Sequence, residues 1–196
     1  MVNGIIFDFD GVVVNPAMCP NLYQMLSRRC GVSWDKINRY TLQFWLKARV
    51  KAIDDEQYWK SLATICRISK EEIQRIAYSF FQPNADVLRI IKALRKKYNV
   101  GILSNHLEHW FNHILNFYGL AHNFDFIFTS FTEKIAKPDI NLYKTVLQKL
   151  KILPEQCVFI DDREPNLKTA RRLGMITIIF YSATQLEEEL NAILEV

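Results

Sequence analysis

The sequence has no glycine-rich anion loop: neither Gly-x-Gly-x-x-Gly nor the Walker pattern occurs in its 196 residues. Two common backbone cradles for nucleotide phosphates are thereby excluded. No apolar run is long enough to cross a bilayer. The N-terminal apolar stretch is short and broken by Asp8 and Asp10, so no signal peptide is read there. Cys19, Cys30, Cys66 and Cys157 are scattered and form no Cys-x-x-Cys pair. They read as free thiols of a reducing cytoplasm rather than as a disulfide framework or a zinc site. Internal repeats and low-complexity stretches are missing too. The chain is 49% hydrophobic, enough to bury a sizeable core in one domain, or in one domain with a modest insertion. The net charge of +4 is a weak pull towards anionic ligands.

Two zones follow from the pattern. Residues 1–14 and about 84–196 alternate apolar strands with helical segments, which predicts an α/β core: a doubly wound, Rossmann-like parallel sheet with helices on both faces. Candidate strands are Gly4–Asp10, Val100–Ser104, Phe124–Thr129, Cys157–Asp161 and Met175–Phe180. Asn84 is a good N-cap for a helix over Asp86–Lys97, whose Val87, Ile90, Ile91 and Leu94 make one apolar stripe. Further helices are expected over Asp139–Lys151, Glu164–Leu173 (before Gly174) and Ala183–Leu194. The acidic run Glu187–Glu189 reads as a solvated face.

Residues 16–83 contain no strand-like run and read as an α-helical insertion, a cap on the core formed by 1–15 and 84–196. Pro16, Pro20 and Pro83 punctuate its ends. Helices are expected near 20–30, 34–50, 55–67 and 69–81, with Gly31 between the first two and a capping box from Ser69 to Glu72. From 20 to 82 there are 11 basic and 6 acidic residues, a net +5, against −1 for the remainder. Such a charge suits either a lid over an anion or an ordinary solvated face. Its aromatics read mostly as cap core, with Tyr40, Phe44, Trp45, Arg39 and Lys47 as candidates to line a substrate pocket.

Four segments carry the chemistry. An apolar strand from Gly4 ends in Asp8 and Asp10 followed by Gly11. Side chains two apart on a strand share a face, so the two carboxylates are expected to leave the strand together. Like charges so close raise each other's pKa or need a cation between them. A second strand ends in Ser104-Asn105, and Lys137-Pro138-Asp139 places a lysine before a proline suited to the first turn of a helix. A third strand ends in Asp161-Asp162, with Asn166 four residues on. Singly, these are a helix N-cap, a surface lysine and a solvated turn. Together they supply a carboxylate nucleophile, ligands for a hard divalent cation, a hydroxyl donor and a fixed positive charge.

In this order, Asp-x-Asp-Gly, strand-Ser, Lys-Pro-Asp and strand-Asp-Asp-x-x-x-Asn, the chain resembles the haloacid dehalogenase superfamily of Mg²⁺-dependent phosphohydrolases over residues 4–180. Within it, the branch with a small helical cap is most similar, and Gly101–Asn105 and Phe159–Gly174 read like sugar-phosphate phosphatases and the phosphatase domain of soluble epoxide hydrolases. The resemblance implies Asp8 as nucleophile and Asp10 as acid and base; the chemistry alone leaves the two exchangeable. It implies Mg²⁺ held by Asp8, by Asp10 through its backbone carbonyl, and by Asp162, with Asp161 and Asn166 ligating or orienting waters. Ser104 and the Asn105 backbone N–H would hold phosphoryl oxygens, Lys137 would offset charge, and Gly11 would allow the turn after the strand. The branch often carries an acidic residue where this chain has Asn15.

The reading is therefore of an enzyme acting on a small phosphate ester, with a phosphomutase, a dehalogenase or a non-catalytic module on the same fold as alternatives. Asp10 disfavours the dehalogenase, whose halide leaving group needs no acid. A nucleic-acid partner would call for a basic stripe with exposed aromatics, and oligomeric state is not legible. His106, His109 and His113 share one helical spacing, with His122 nearby, but no cysteine or carboxylate set completes a zinc site. His106, next to Ser104-Asn105, is the one expected to touch substrate.

Overall fold

The computed structural model describes residues 1–15 and 18–194, with side chains from residue 21 onward in the second segment. In chain order the elements are β1 (Gly4–Phe7), β2 (Val14–Asn15), α1 (Met18–Cys30), α2 (Trp34–Ala48), α3 (Asp55–Cys66), α4 (Lys70–Ser79), β3 (Gln82–Pro83), α5 (Ala85–Leu94) and β4 (Asn99–Ser104). They continue with α6 (Glu108–Phe117), β5 (Phe126–Thr129), α7 (Ser130–Glu133), α8 (Ile140–Leu150), β6 (Cys157–Asp161), α9 (Glu164–Arg172), β7 (Ile176–Ile179) and α10 (Ala183–Leu194).

Five of the strands form one parallel sheet in the order β5-β4-β1-β6-β7. The fold is α/β. The chain leaves β1 outwards on one side through β4 and β5, then returns to build β6 and β7 on the other. β1 is thus the point where the winding reverses, and a ligand crevice opens beyond the carboxyl ends of strands at such a point. Alternation along the strands separates two apolar layers. Ile5, Phe7, Ile102, Val158 and Ile160 join the larger core with α5, α6, α10 and the helical insertion. Ile6, Leu103, Cys157 and Phe159 face α8 and α9. β4 carries a glycine because β5 lies against it: a Cβ on Gly101 would sit 2.2 Å from the Phe126 ring.

Helices α4 and α5 begin at caps legible in the sequence. Asn84 accepts from Val87 N at 3.3 Å and Ser69 from Glu72 N at 3.3 Å. Helix α8 starts one residue later than expected, at Ile140. Asp139 is its N-cap, accepting from Asn141 N at 2.9 Å, so Pro138 precedes the helix instead of opening it; the Lys137–Pro138 peptide is cis. The acidic run on α10 is not wholly solvated: Glu187 takes both guanidinium nitrogens of Arg89 on α5 at 2.9 Å.

Helices α1–α4 occupy the region expected to be helical, but its ends are a small antiparallel ribbon. Val14 and Asn15 pair with Pro83 and Gln82, so the outgoing and returning chains are stitched together. This ribbon was not expected, since two-residue strands give no periodic signal. Pro16 lies outside the described residues. Much of the insertion's positive charge is neutralised locally, with Arg29 and Arg75 on Glu72, Lys60 and Lys70 on Glu56, and Lys51 beside Asp55 and Glu108. Cys30, Cys66 and Cys157 are free thiols. Burial pushes the Cys66 and Cys157 thiols up to about 12. No described helix is long and apolar enough to cross a membrane.

Candidate active site

The first motif leaves the sheet earlier than expected. Strand β1 ends at Phe7, and Asp8 is held at the mouth of the sheet by its N–H to Ile160 O at 2.8 Å. The Phe9 carbonyl then collects the N–H groups of Val12, Val13 and Val14, and Gly11 turns the chain with φ +83°. A left-handed residue is needed there, and glycine adopts it without strain. Strand alternation therefore does not extend to Asp10. Asp8 Oδ1 faces Lys137 Nζ at 2.8 Å, and Asp10 Oδ1 faces His106 Nε2 at 3.7 Å.

On the α8/α9 side, Lys137 Nζ lies 2.8 Å from Asp8 Oδ1 and 2.7 Å from Asp161 Oδ2. The lysine is 2% exposed and also covers the Phe159 ring at 5.4 Å. Asp161 is saturated. It accepts from Lys137, from Asn166 Nδ2 on both oxygens at 3.0 Å and from Arg163 N at 2.8 Å. Asn166 is fixed in turn by Tyr143, whose hydroxyl donates to its carbonyl at 3.0 Å. Asn105, between the two motifs, uses its side chain to clamp the Lys137 backbone, donating to Lys137 O and accepting from Lys137 N, both at 2.8 Å.

Asp8, Asp161 and Asp162 bring carboxylate oxygens within 4.8 Å of one another. One lysine cannot neutralise three carboxylates. Burial first, and Asp161 second, hold both Asp8 and Asp162 above the usual carboxylate range. Burial pulls Lys137 down, but Asp161 and Asp8 outweigh it and keep the ammonium firmly charged. A surplus of hard anionic oxygens in a buried cluster fits a divalent cation such as Mg²⁺. Of the set, Asp162 and the free edge of Asp8 remain for it, because the Asp161 oxygens are already occupied.

On the α6 side Ser104 Oγ, Asp10 Oδ1 and His106 Nε2 are buried without a hydrogen-bond partner, as is Trp110 Nε1 on α6 itself. Buried polar groups are rarely left so. Ser104 ends β4 and is not a helix cap; the residue before α6 is Leu107. Its hydroxyl has no hydrogen-bond partner in the protein, which leaves it able to serve a ligand. His106 is fully buried, with rings of Phe9, Trp45, Trp110 and Phe111 around it. It therefore stands behind Asp10 and does not reach out to substrate as expected. His109 instead bonds Asp55, and His113 stacks on Tyr78 at 4.0 Å. The histidines diverge, and no metal cluster containing them occurs among the described residues.

Three supporting residues were not legible. Tyr143 lies mid-helix with no motif around it. Ser130 accepts from His106 N at 3.1 Å and braces the loop after Ser104. Asp55, in an Asp54-Asp55 pair that reads as a helix start, leaves the capping of α3 to Asp54 and accepts from His109 N of α6 at 2.9 Å. Among the pocket candidates on α2, Trp45 reaches the site through the His106 ring at 6.4 Å. The rings of Tyr40 and Phe44 lie 6.0 Å apart, tilted by 46°, and Arg39 and Lys47 are exposed.

A family model described as haloacid dehalogenase-like hydrolase matches residues 2–174. The chain belongs to that family. Rat bifunctional epoxide hydrolase 2 (Rattus norvegicus) is 39% identical over 74 residues, 38% of this chain but 13% of that protein, so this chain matches only a small part of that relative's length. D-ribitol-5-phosphate phosphatase of Bacteroides thetaiotaomicron is 21% identical over 209 aligned residues, 99% of each chain. A haloacid dehalogenase family enzyme of B. thetaiotaomicron, solved with magnesium and inorganic phosphate, superposes with a TM-score of 0.74 at 21% identity, covering 92% of this chain and 95% of that one.

Proposed function

We propose that this haloacid dehalogenase-like hydrolase is a Mg²⁺-dependent phosphatase. Its substrate would be a small phosphorylated metabolite, a sugar phosphate or similar phosphomonoester. The carrying observation is the Asp8–Lys137–Asp161 arrangement beside Asp162 and the orphaned Ser104 hydroxyl. It offers a fixed carboxylate nucleophile, a cation site and a donor for a phosphoryl oxygen in one crevice. The family, the phosphatase relative and the magnesium- and phosphate-bound neighbour support the same reading.

Asp8 attacks phosphorus and forms an aspartyl-phosphate as the leaving oxygen departs, dividing the hydrolysis into two steps. Asp10 gives its proton to the leaving oxygen, then takes one from the water that attacks the phosphoryl group. Ser104 Oγ and the Asn105 N–H hold phosphoryl oxygens, and Lys137 offsets the charge of Asp8 and of the ester. Asp8, Asp162 and the Asp10 backbone carbonyl would hold the Mg²⁺, which when bound neutralises phosphate charge and draws Asp8 towards its ionised, nucleophilic form. Residues 16–83 act as the cap over the core of 1–15 and 84–196, with the β2–β3 ribbon as its stalk.

The test is hydrolysis of p-nitrophenyl phosphate with Mg²⁺, with EDTA, and by Asp8→Asn. Release that needs Mg²⁺ and disappears in the variant is expected. Release unaffected by EDTA, or retained by Asp8→Asn, overturns the reading.

A further inference from the structure

We propose that His106 is a positioning residue that orients the Asp10 carboxyl for proton transfer to the leaving group. The inference rests on the reading of Asp10 as acid and base. Its geometry is independent of that reading.

The imidazole has no freedom. It is 0% exposed, and four rings pack against it: Phe9 and Trp45 at 6.4 Å, Trp110 at 5.6 Å and Phe111 at 5.7 Å. Its backbone N–H is tied to Ser130 Oγ at 3.1 Å. The tautomer follows from the partners of Nδ1. That atom lies 2.9 Å from Leu107 N and 3.0 Å from Leu107 O. Leu107 O already accepts the first helical bond of α6, from Phe111 N at 2.9 Å. Leu107 N–H can only donate. Satisfying it makes Nδ1 the acceptor and leaves the ring proton on Nε2.

Nε2 faces Asp10 Oδ1 at 3.7 Å. Each is a buried polar atom without another hydrogen-bond partner. Leaving both unmade costs each its desolvation penalty, so the stable closed state joins them. The gap exceeds an ordinary N–H···O distance by about 0.8 Å, a movement typical of catalytic contacts that tighten when substrate binds. The Asp10 side chain is 19% exposed although its Oδ1 is buried, so its exposure belongs to the other edge of the carboxyl. His106 thus fixes Oδ1 and leaves Oδ2 to exchange protons. The proton balance involves Asp10 alone: Oδ2–H passes to the leaving oxygen and is restored from the attacking water. The Nε2 proton stays on the imidazole throughout.

A buried core histidine and a positioning histidine differ in what their loss does to different substrates. A p-nitrophenolate leaves with little help from an acid, whereas an alkoxide needs one. The experiment measures kcat/KM, which reports leaving-group departure, for p-nitrophenyl, phenyl and glycerol phosphates with the wild type, Asp10→Asn, His106→Leu and His106→Gln. For His106→Leu the loss is expected to be at least tenfold larger with glycerol phosphate than with the p-nitrophenyl ester, since a misplaced catalytic group costs up to about 100-fold. His106→Gln keeps an N–H near the position of Nε2 and is expected to recover most of the difference. An equal loss on all three esters, or no recovery by glutamine, overturns the inference. If Asp10→Asn itself is insensitive to the leaving group, the reading of Asp10 fails instead. Imidazole nitrogen chemical shifts of the wild type test the tautomer without any variant: an Nε2-protonated His106 is expected, and an Nδ1-protonated ring overturns the inference.

Discussion

The two sides of the crevice are built in opposite ways. On the α8/α9 side Asp161 and Lys137 are enclosed by partners, and Asn166 and Asn105 extend the network behind them. On the α6 side Ser104 Oγ, Asp10 Oδ1 and His106 Nε2 are buried without hydrogen-bond partners. Within the crevice, the lysine–aspartate network is satisfied by the fold, whereas the groups proposed to meet a ligand or move a proton have bonds unmade. The contrast separates stability from activity, and mutation can test it.

The largest effect is expected for Asp8→Asn, which keeps the shape but removes the nucleophile; kcat for p-nitrophenyl phosphate falls by at least about a thousandfold. Lys137→Met follows. It leaves the Asp8 and Asp161 carboxylates facing each other in a buried cluster, and urea unfolding is expected to show a loss of about 3–5 kcal/mol. Ser104→Ala is the mirror case. Its hydroxyl bonds nothing in the fold, so stability changes by less than about 0.5 kcal/mol, while kcat/KM falls about 100-fold. A stable Lys137→Met or an unstable Ser104→Ala would break the comparison. Asp55→Ala removes the acceptor at the start of α6 and is expected to cost about 1–2 kcal/mol in the same unfolding measurement.

The smallest effect is a pH dependence. Asp8 and Asp162 are raised in the folded chain, chiefly by burial and then by Asp161. The folded state therefore holds these protons more tightly than the unfolded chain. In metal-free protein that stability is fully present below the unfolded carboxylate pKa of about 4 and is lost as pH rises through the raised folded values. Mg²⁺ binds the deprotonated carboxylates, so its effect on Tm is expected to grow with pH over that window. A Tm increase from Mg²⁺ that shrinks as pH rises would contradict the charge account.

The parallel sheet and the four motifs were legible because apolar strands and the polar residues that follow them lie within short, contiguous segments. The helices of the insertion were legible from Ser69, Gly31 and the lack of strand patterning. The turn that follows β1 at Phe7 was not. It depends on Phe9 O capturing three N–H groups in the turn, a preference that strand alternation hides. The position of His106 was also missed, because Phe9, Trp45, Trp110 and Phe111 reach it from three separate segments. Tyr143 and Asp55 act through contacts between helices distant in sequence, which no local pattern records.

The account turns on a covalent intermediate at one residue. The most direct measurement mixes enzyme and Mg²⁺ with the phosphate ester, quenches in acid during turnover, reduces with borohydride and maps the peptides. Reduction of an aspartyl-phosphate leaves homoserine, and the account predicts it at position 8 alone and absent without substrate. Homoserine at position 10, or at no position while product is formed, would contradict it.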